Sequence, residues 1–215
     1  MTISNNIECE SVHMNKEVTI HRDDEAARLG MWVFLFTEIL LFGGLFLVYA
    51  VMRHRFPNGF HTSSQHLDTF IGALNTVILL TSSMTVAMSI TAVRRNDRRM
   101  ATILLLVTII CSFIFMFDKY LEWGHKISIG LYPGSSLMET LQRGELLFFS
   151  LYFFMTGLHL LHLIVGTVIL FIILVKIRMG LIHADHYVLL ENGALYWHLV
   201  DLIWIFLFPL LYLVT

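Results

Sequence analysis

Five stretches of this chain, about 29–52, 70–93, 101–123, 146–175 and 195–214, are apolar over a length that few folds can accommodate. A helix rises about 1.5 Å per residue, so about 20 such residues cross a hydrocarbon layer about 30 Å thick. Each run meets that length. Inside hydrocarbon every backbone N–H and C=O needs a partner within the protein, which leaves helices or closed barrels. The apolar positions here are continuous instead of alternating, so helices are expected. The predicted fold is all-α: a polytopic membrane protein with a bundle of five transmembrane helices. The fourth run is the longest and should tilt or extend beyond the bilayer.

Composition agrees with that solvent. The chain is 57% hydrophobic and 14% charged, with a mean hydropathy of +0.73, outside the range of an average soluble domain. A formal charge of -2 provides no basic footprint for a phosphate backbone, so no nucleic-acid partner is expected. Cys9 and Cys111 have no spacing that suggests zinc, an iron-sulfur cluster or a disulfide framework.

Residues 1–28 are polar and lack the pattern of a cleaved signal, so they are expected to form a retained cytoplasmic head in front of a transmembrane domain at 29–215. "RHRFPNGFHTSSQHLD" and "GHKISIGLYPGSSLMETLQRGE" have the proline and glycine punctuation of loops, and "RRNDRR" at 94–99 reads as a tight basic turn. One side of the membrane then holds Lys16, Arg22, Arg28, Arg94, Arg95, Arg98, Arg99, Lys176 and Arg178. The other side holds Arg53, Arg55, Lys126 and Arg143. The positive-inside rule places the N-terminus in the cytoplasm and the C-terminus outside. Trp32, Tyr49, Tyr120, Trp123 and Tyr196 lie near run ends, where interfacial aromatic belts are expected.

Polar residues inside the runs carry the functional question, because a charge at the centre of a spanning helix costs about 2.5 to 3.5 kcal/mol even on insertion scales. Glu38 lies in the first run, His159 and His162 in the fourth, and His198 and Asp201 in the fifth. Asp118, Lys119 and Glu122 cluster towards the end of the third. His159 and His162 are three apart, as are His198 and Asp201, so each pair shares a helix face. Three readings stand on the residues alone. The groups can be polar glue between helices, bonding one another, Asp201 or Glu38. Two histidines on different helices can hold a haem. Carboxylates and histidines can also mark a proton route, with Glu38 as its main candidate. Gly72, Asn75, Thr76, Thr81, Ser82 and Ser83 in the second run read as a packing face. No phosphate loop, nucleophile with base, or four-ligand metal cluster is present in the sequence, so no catalytic residue and no metal ligand is assigned.

"WHLVDLIW" (197–204) resembles the last-helix signature of the cytochrome c oxidase subunit III family of haem-copper oxidases. "TEILLFGGLF" with Glu38, "NTVILLTSS" from Asn75, Glu122 with Trp123, and "GLHLLHLIVG" with His159 and His162 resemble the family's other helices in order. The resemblance covers roughly residues 29–214. It implies a non-catalytic subunit with no cofactor of its own, packed on the catalytic subunit I, which carries haem and copper. It also implies bound phospholipid, support of proton uptake into that neighbour and protection of its active site. Glu38 would be the family's proton-uptake or structural carboxylate. Asn75, Glu122, His159, His162, Trp197, His198 and Asp201 would be buried polar packing residues. Further implied are the other oxidase subunits, a larger respiratory assembly and a multi-pass place in a bacterial inner membrane.

The chain departs from longer members, which have seven helices, and Lys119 stands where many of them carry glutamine. The loop from Gly124 to Glu145 is also longer. It resembles the five-helix bacterial form. The same motifs fit subunit III of a quinol oxidase, or a five-helix accessory membrane protein of a nitric oxide reductase, and these remain alternatives to the cytochrome c oxidase.

Overall fold

A computed structural model describes residues 2–132, 134–135, 141–182 and 187–213, with side chains from Asp24 onward. The head expected at 1–28 therefore falls largely outside the described side chains. Six helices follow in order: α1 (Thr2–Arg55), α2 (Pro57–Ser64), α3 (Thr69–Arg94), α4 (Arg98–Ser128), α5 (Arg143–Arg178) and α6 (Val188–Tyr212). No strand occurs among the described residues. Among the described residues, five segments are long and apolar enough to cross a membrane, namely Asp24–Arg55 and the whole of α3, α4, α5 and α6. The protein is thus an all-helical, multi-pass membrane protein.

The first four spans run past the apolar runs at both ends and the last extends only at its start, because capping and charged residues carry the helices into the headgroup layer. Asp68 accepts from the backbone N–H of Phe70 and Ile71 at 2.9 and 3.3 Å and so starts α3. Asp97 does the same for Met100 at 3.0 Å and starts α4. Between them the basic turn closes tightly. Asn96 takes φ +59°, a left-handed conformation that asparagine tolerates better than most residues. The short α2 was not expected from the loop sequence. Pro57 stands at its first turn, where the missing N–H is no loss.

The chain divides into two compact units, Met1–Glu38 and Ile39–Thr215. In the first, Thr37 Oγ1 donates to the Phe34 carbonyl at 2.7 Å. In the second, α3 packs along α4 and α6, α5 packs on α4 and α6, and α2 rests on α5. Trp197, Trp204, Tyr152, Phe115, Phe148 and Leu79 fill its core. Apolar side chains such as Phe113, Phe117, Phe154, Phe171 and Phe206 stay exposed on the perimeter, as a surface solvated by lipid requires.

Two members of the expected aromatic belt instead point inward. Tyr49 is fully buried, donates to the Leu210 carbonyl at 2.6 Å and meets Phe60 edge to face at 5.2 Å. Tyr196 is 3% exposed and donates to the His162 carbonyl at 3.1 Å. Position along a run sets depth, and rotation about the helix axis decides whether the ring meets lipid or a neighbouring helix. Trp32 and Tyr120 do face outward, at 62% and 74% exposure.

Candidate functional site

The interior of the second unit is polar at two levels. The lower level lies at the end of α4. Lys119, Glu122 and Lys126 follow one another at i, i+3 and i+7, which stacks them on a single helix face. Their side chains are only 2%, 8% and 6% exposed. Lys119 Nζ donates to Glu122 Oε2 at 2.6 Å, and Lys126 Nζ lies 3.7 Å from Glu122 Oε1. From α5, the Tyr152 hydroxyl donates to Glu122 Oε1 at 2.6 Å. From α6, the Tyr212 hydroxyl reaches both carboxylate oxygens at 2.7 and 3.0 Å and lies 2.6 Å from Lys119 Nζ.

Glu122 is therefore a hub that joins three spanning helices. The Lys119 ammonium also sits 4.6 Å from the centre of the Trp204 ring, whose π face attracts a desolvated cation. Lys126 Nζ donates to the His66 carbonyl at 3.4 Å and ties in the segment between α2 and α3. A buried charge set of this kind is tolerable only when most of its donors and acceptors are met, as they are here.

The upper level is built along α6. The Trp197 indole N–H donates to Ser82 Oγ at 3.0 Å, and His198 Nδ1 lies 2.6 Å from Ser83 Oγ. Two helical turns on from Trp197, the Trp204 indole N–H donates to Thr76 Oγ1 at 3.1 Å. Three residues of α6, Trp197, His198 and Trp204, thus hydrogen-bond to α3. Asp201 is 2% exposed and lies beside Ser83, yet neither carboxyl oxygen is in hydrogen-bond geometry. Asn75, fully buried on α3, likewise leaves both amide atoms without a hydrogen bond.

The histidines separate. His159 is 1% exposed, wedged between Phe115 at 5.7 Å and Trp204 at 5.3 Å, with neither ring nitrogen hydrogen-bonded. His162 turns Nδ1 to the Leu158 carbonyl of its own helix at 2.8 Å and meets Phe42 edge to face at 5.4 Å. His198 faces α3. The three rings from which a haem would draw its two axial ligands are thus turned to different neighbours. Among the described residues no group of three or more His, Cys, Asp or Glu could hold a metal ion. Glu38 is half-buried on α1.

Sequence reasoning singled out Glu122 but missed Tyr152, Tyr212 and Lys126 as its partners. A signal existed for the lysine: charges of alternating sign at spacings of three and four within one helix predict an internal ladder. Nothing in the local sequence marks the tyrosines, which lie 30 and 90 positions away.

Comparison with known proteins adds the family. The model of cytochrome c oxidase subunit III matches residues 6–215. Cytochrome c oxidase subunit 3 of Thermostichus vulcanus is 30% identical over 200 residues, covering 91% of this chain and 90% of that protein. Probable quinol oxidase subunit 3 of Staphylococcus saprophyticus is 27% identical over 187 residues, 87% of this chain and 88% of that protein. The heme-copper oxidase subunit I+III of Aeropyrum pernix is 31% identical over 195 residues, 87% of this chain and 22% of that longer protein. The relatives are third subunits of haem-copper oxidases, and this chain belongs to the cytochrome c oxidase subunit III family.

Proposed function

We propose that the chain serves as the non-catalytic third subunit of a haem-copper terminal oxidase, packed on subunit I of a bacterial inner-membrane complex. Haem and copper reside in that partner. The observation that carries this reading is the relative in which the matching segment belongs to a single polypeptide named for subunits I and III. Fusion keeps two segments side by side, which is what stable packing of separate chains achieves otherwise. The bundle itself suits a scaffold, because His198, Trp197, Trp204 and Tyr212 of α6 are spent on cross-helix bonds to α3 and α4.

Lipid retention is part of the same reading. A groove of about 180 Å³ runs between α1 and α6, lined by Phe42, Gly43, Phe46, Leu199, Ile203 and Phe206 among others. An acyl chain fits such a wall. Glu38 is the carboxylate through which the subunit would support proton uptake into its neighbour.

The test is gentle solubilisation, capture of this chain through a tag, and optical and metal analysis of what accompanies it. Copurified haem and copper with cyanide-sensitive oxygen reduction, and neither group on the chain once separated, is the expected result. Haem retained on the separated chain overturns it. Oxidation of quinol instead of reduced cytochrome c would place the complex with the quinol oxidases, as the staphylococcal relatives suggest. A copper-free partner that reduces nitric oxide would place it with the reductases.

A further inference from the structure

A second cavity lies at the opposite end of the bundle from the Glu122 hub, where α3 turns into α4. It measures about 290 Å³ and is lined by Met88, Thr91, Ala92, Arg95, Asp97, Met100 and Leu104. Its walls change character along its length. Met88, Ala92, Met100 and Leu104 offer an apolar channel at the level where two spanning helices leave the hydrocarbon. Arg95 stands at the mouth, in the cap position of α3, with its side chain exposed. Among the described residues its guanidinium makes no hydrogen bond or ion pair.

The other charges around the mouth decide the sign of what fits. Arg94 is engaged by Glu191 at 2.8 Å and by the Tyr187 ring at 4.9 Å. Arg98 packs against Gly180, where a Cβ would meet its Nη1 at 2.9 Å. Asp97 is the acidic member, and its Oδ1 is taken by the Met100 N–H at 3.0 Å as the cap of α4. Residues 94–99 carry four arginines against that single aspartate, so the mouth is electropositive. Exposed methionines at its rim, Met88 at 43% and Met100 at 46%, can repack around a flexible chain.

We propose that this cavity is a binding site for an anionic phospholipid, with an acyl chain along Met88, Ala92, Met100 and Leu104 and the headgroup phosphate on the Arg95 guanidinium. Arginine suits that headgroup because its planar donors can engage phosphate oxygens in pairs. The site is separate from the groove between α1 and α6, which has no charged lining residue. It also does not depend on the identity of the oxidase partner.

The full-length chain in detergent, stripped of native lipid and titrated with dioleoyl phosphatidylglycerol or dioleoyl phosphatidylcholine, tests this by native mass spectrometry. One phosphatidylglycerol should bind ahead of phosphatidylcholine. Arg95→Gln should weaken the anionic lipid by about fivefold, the contribution of one basic residue near an anionic headgroup, and leave the zwitterionic lipid unchanged. Arg99→Gln removes the same charge from the same turn outside the cavity and should weaken it less than twofold. Equal binding of the two lipids to the native chain overturns the proposal. So does an equal loss in both arginine variants, which would mean diffuse attraction to a basic turn. Met100→Trp, which fills the channel, should abolish the preferred adduct, and a retained adduct would overturn the assigned path of the acyl chain.

Discussion

Lys119 Nζ and Glu122 Oε2 stand 2.6 Å apart with side chains 2% and 8% exposed, so the pair is held inside a membrane-spanning bundle. Its value is conditional on being complete. Replacing both members of a buried pair by apolar groups can be nearly neutral, whereas removing one leaves an uncompensated charge at a cost of about 3 to 5 kcal/mol. Glu122→Gln should therefore lower the thermal midpoint of the detergent-solubilised chain more than Lys119→Met, because the carboxylate also serves Lys126, Tyr152 and Tyr212. Combining the two should cost less than the sum of the single changes. Additive losses would show that the two residues act independently.

Gly59 and Gly144 bring α2 against the start of α5 with no room for a side chain. A Cβ on Gly59 would lie 2.8 Å from Gly144 Cα and 2.9 Å from its carbonyl carbon, and backbone cannot rotate aside. Gly59→Ala should cost about 1 to 3 kcal/mol, the usual range for overpacking. Gly44→Ala, where a Cβ meets nothing within 4 Å, should leave the melting curve of the isolated chain unchanged or slightly raised. Equal effects at both positions would contradict the close contact.

The Trp197 indole and Ser82 Oγ, 3.0 Å apart and both fully buried, join α6 to α3. Cross-helix bonds of this type contribute about 0.6 to 2 kcal/mol in membranes. Ser82→Ala should fall in that range, since it strands the indole N–H. In a Trp197→Phe background the same serine change should cost less, because no indole N–H is left to strand, while the Ser82 donation to the Leu79 carbonyl at 2.7 Å is lost in both backgrounds alike. A double-mutant cycle on thermal midpoints measures the coupling, and a zero coupling energy would remove the bond from the account.

These cases show what could be read before folding. The spans were legible because hydrocarbon thickness demands length and forbids charge, and both are properties of a contiguous stretch. The pairing of Lys119 with Glu122 was partly legible for the same reason, as both lie on one helix. The Tyr152 and Tyr212 hydroxyls were not, since only the packing of α4, α5 and α6 brings them to one carboxylate. His159 and His162 illustrate a different limit. A spacing of three predicts one shared face, yet Phe115 and Trp204 claim one ring while Phe42 and the Leu158 carbonyl claim the other. Helical spacing fixes direction only to within part of a turn, and the neighbours decide the rest.

Charge placement predicts how the chain is oriented in the membrane. The turn at 94–99 joins two spans with four arginines, whereas the segments at 56–68 and 141–142 lie at the other ends of those helices. Arginine is retained on the cytoplasmic side during insertion, so the turn should face the cytoplasm. In a chain with Cys9 replaced by serine, a cysteine introduced by Arg99→Cys should react with a membrane-impermeant maleimide only in inverted vesicles. One introduced by Gln142→Cys should react only in right-side-out spheroplasts, since α5 starts at the opposite face from the turn. The exposure of both positions makes either reaction fast when the reagent has access. The reverse pattern would place the C-terminal end of α6 in the cytoplasm, and labelling of both sites from one side would break the odd number of crossings on which the topology rests.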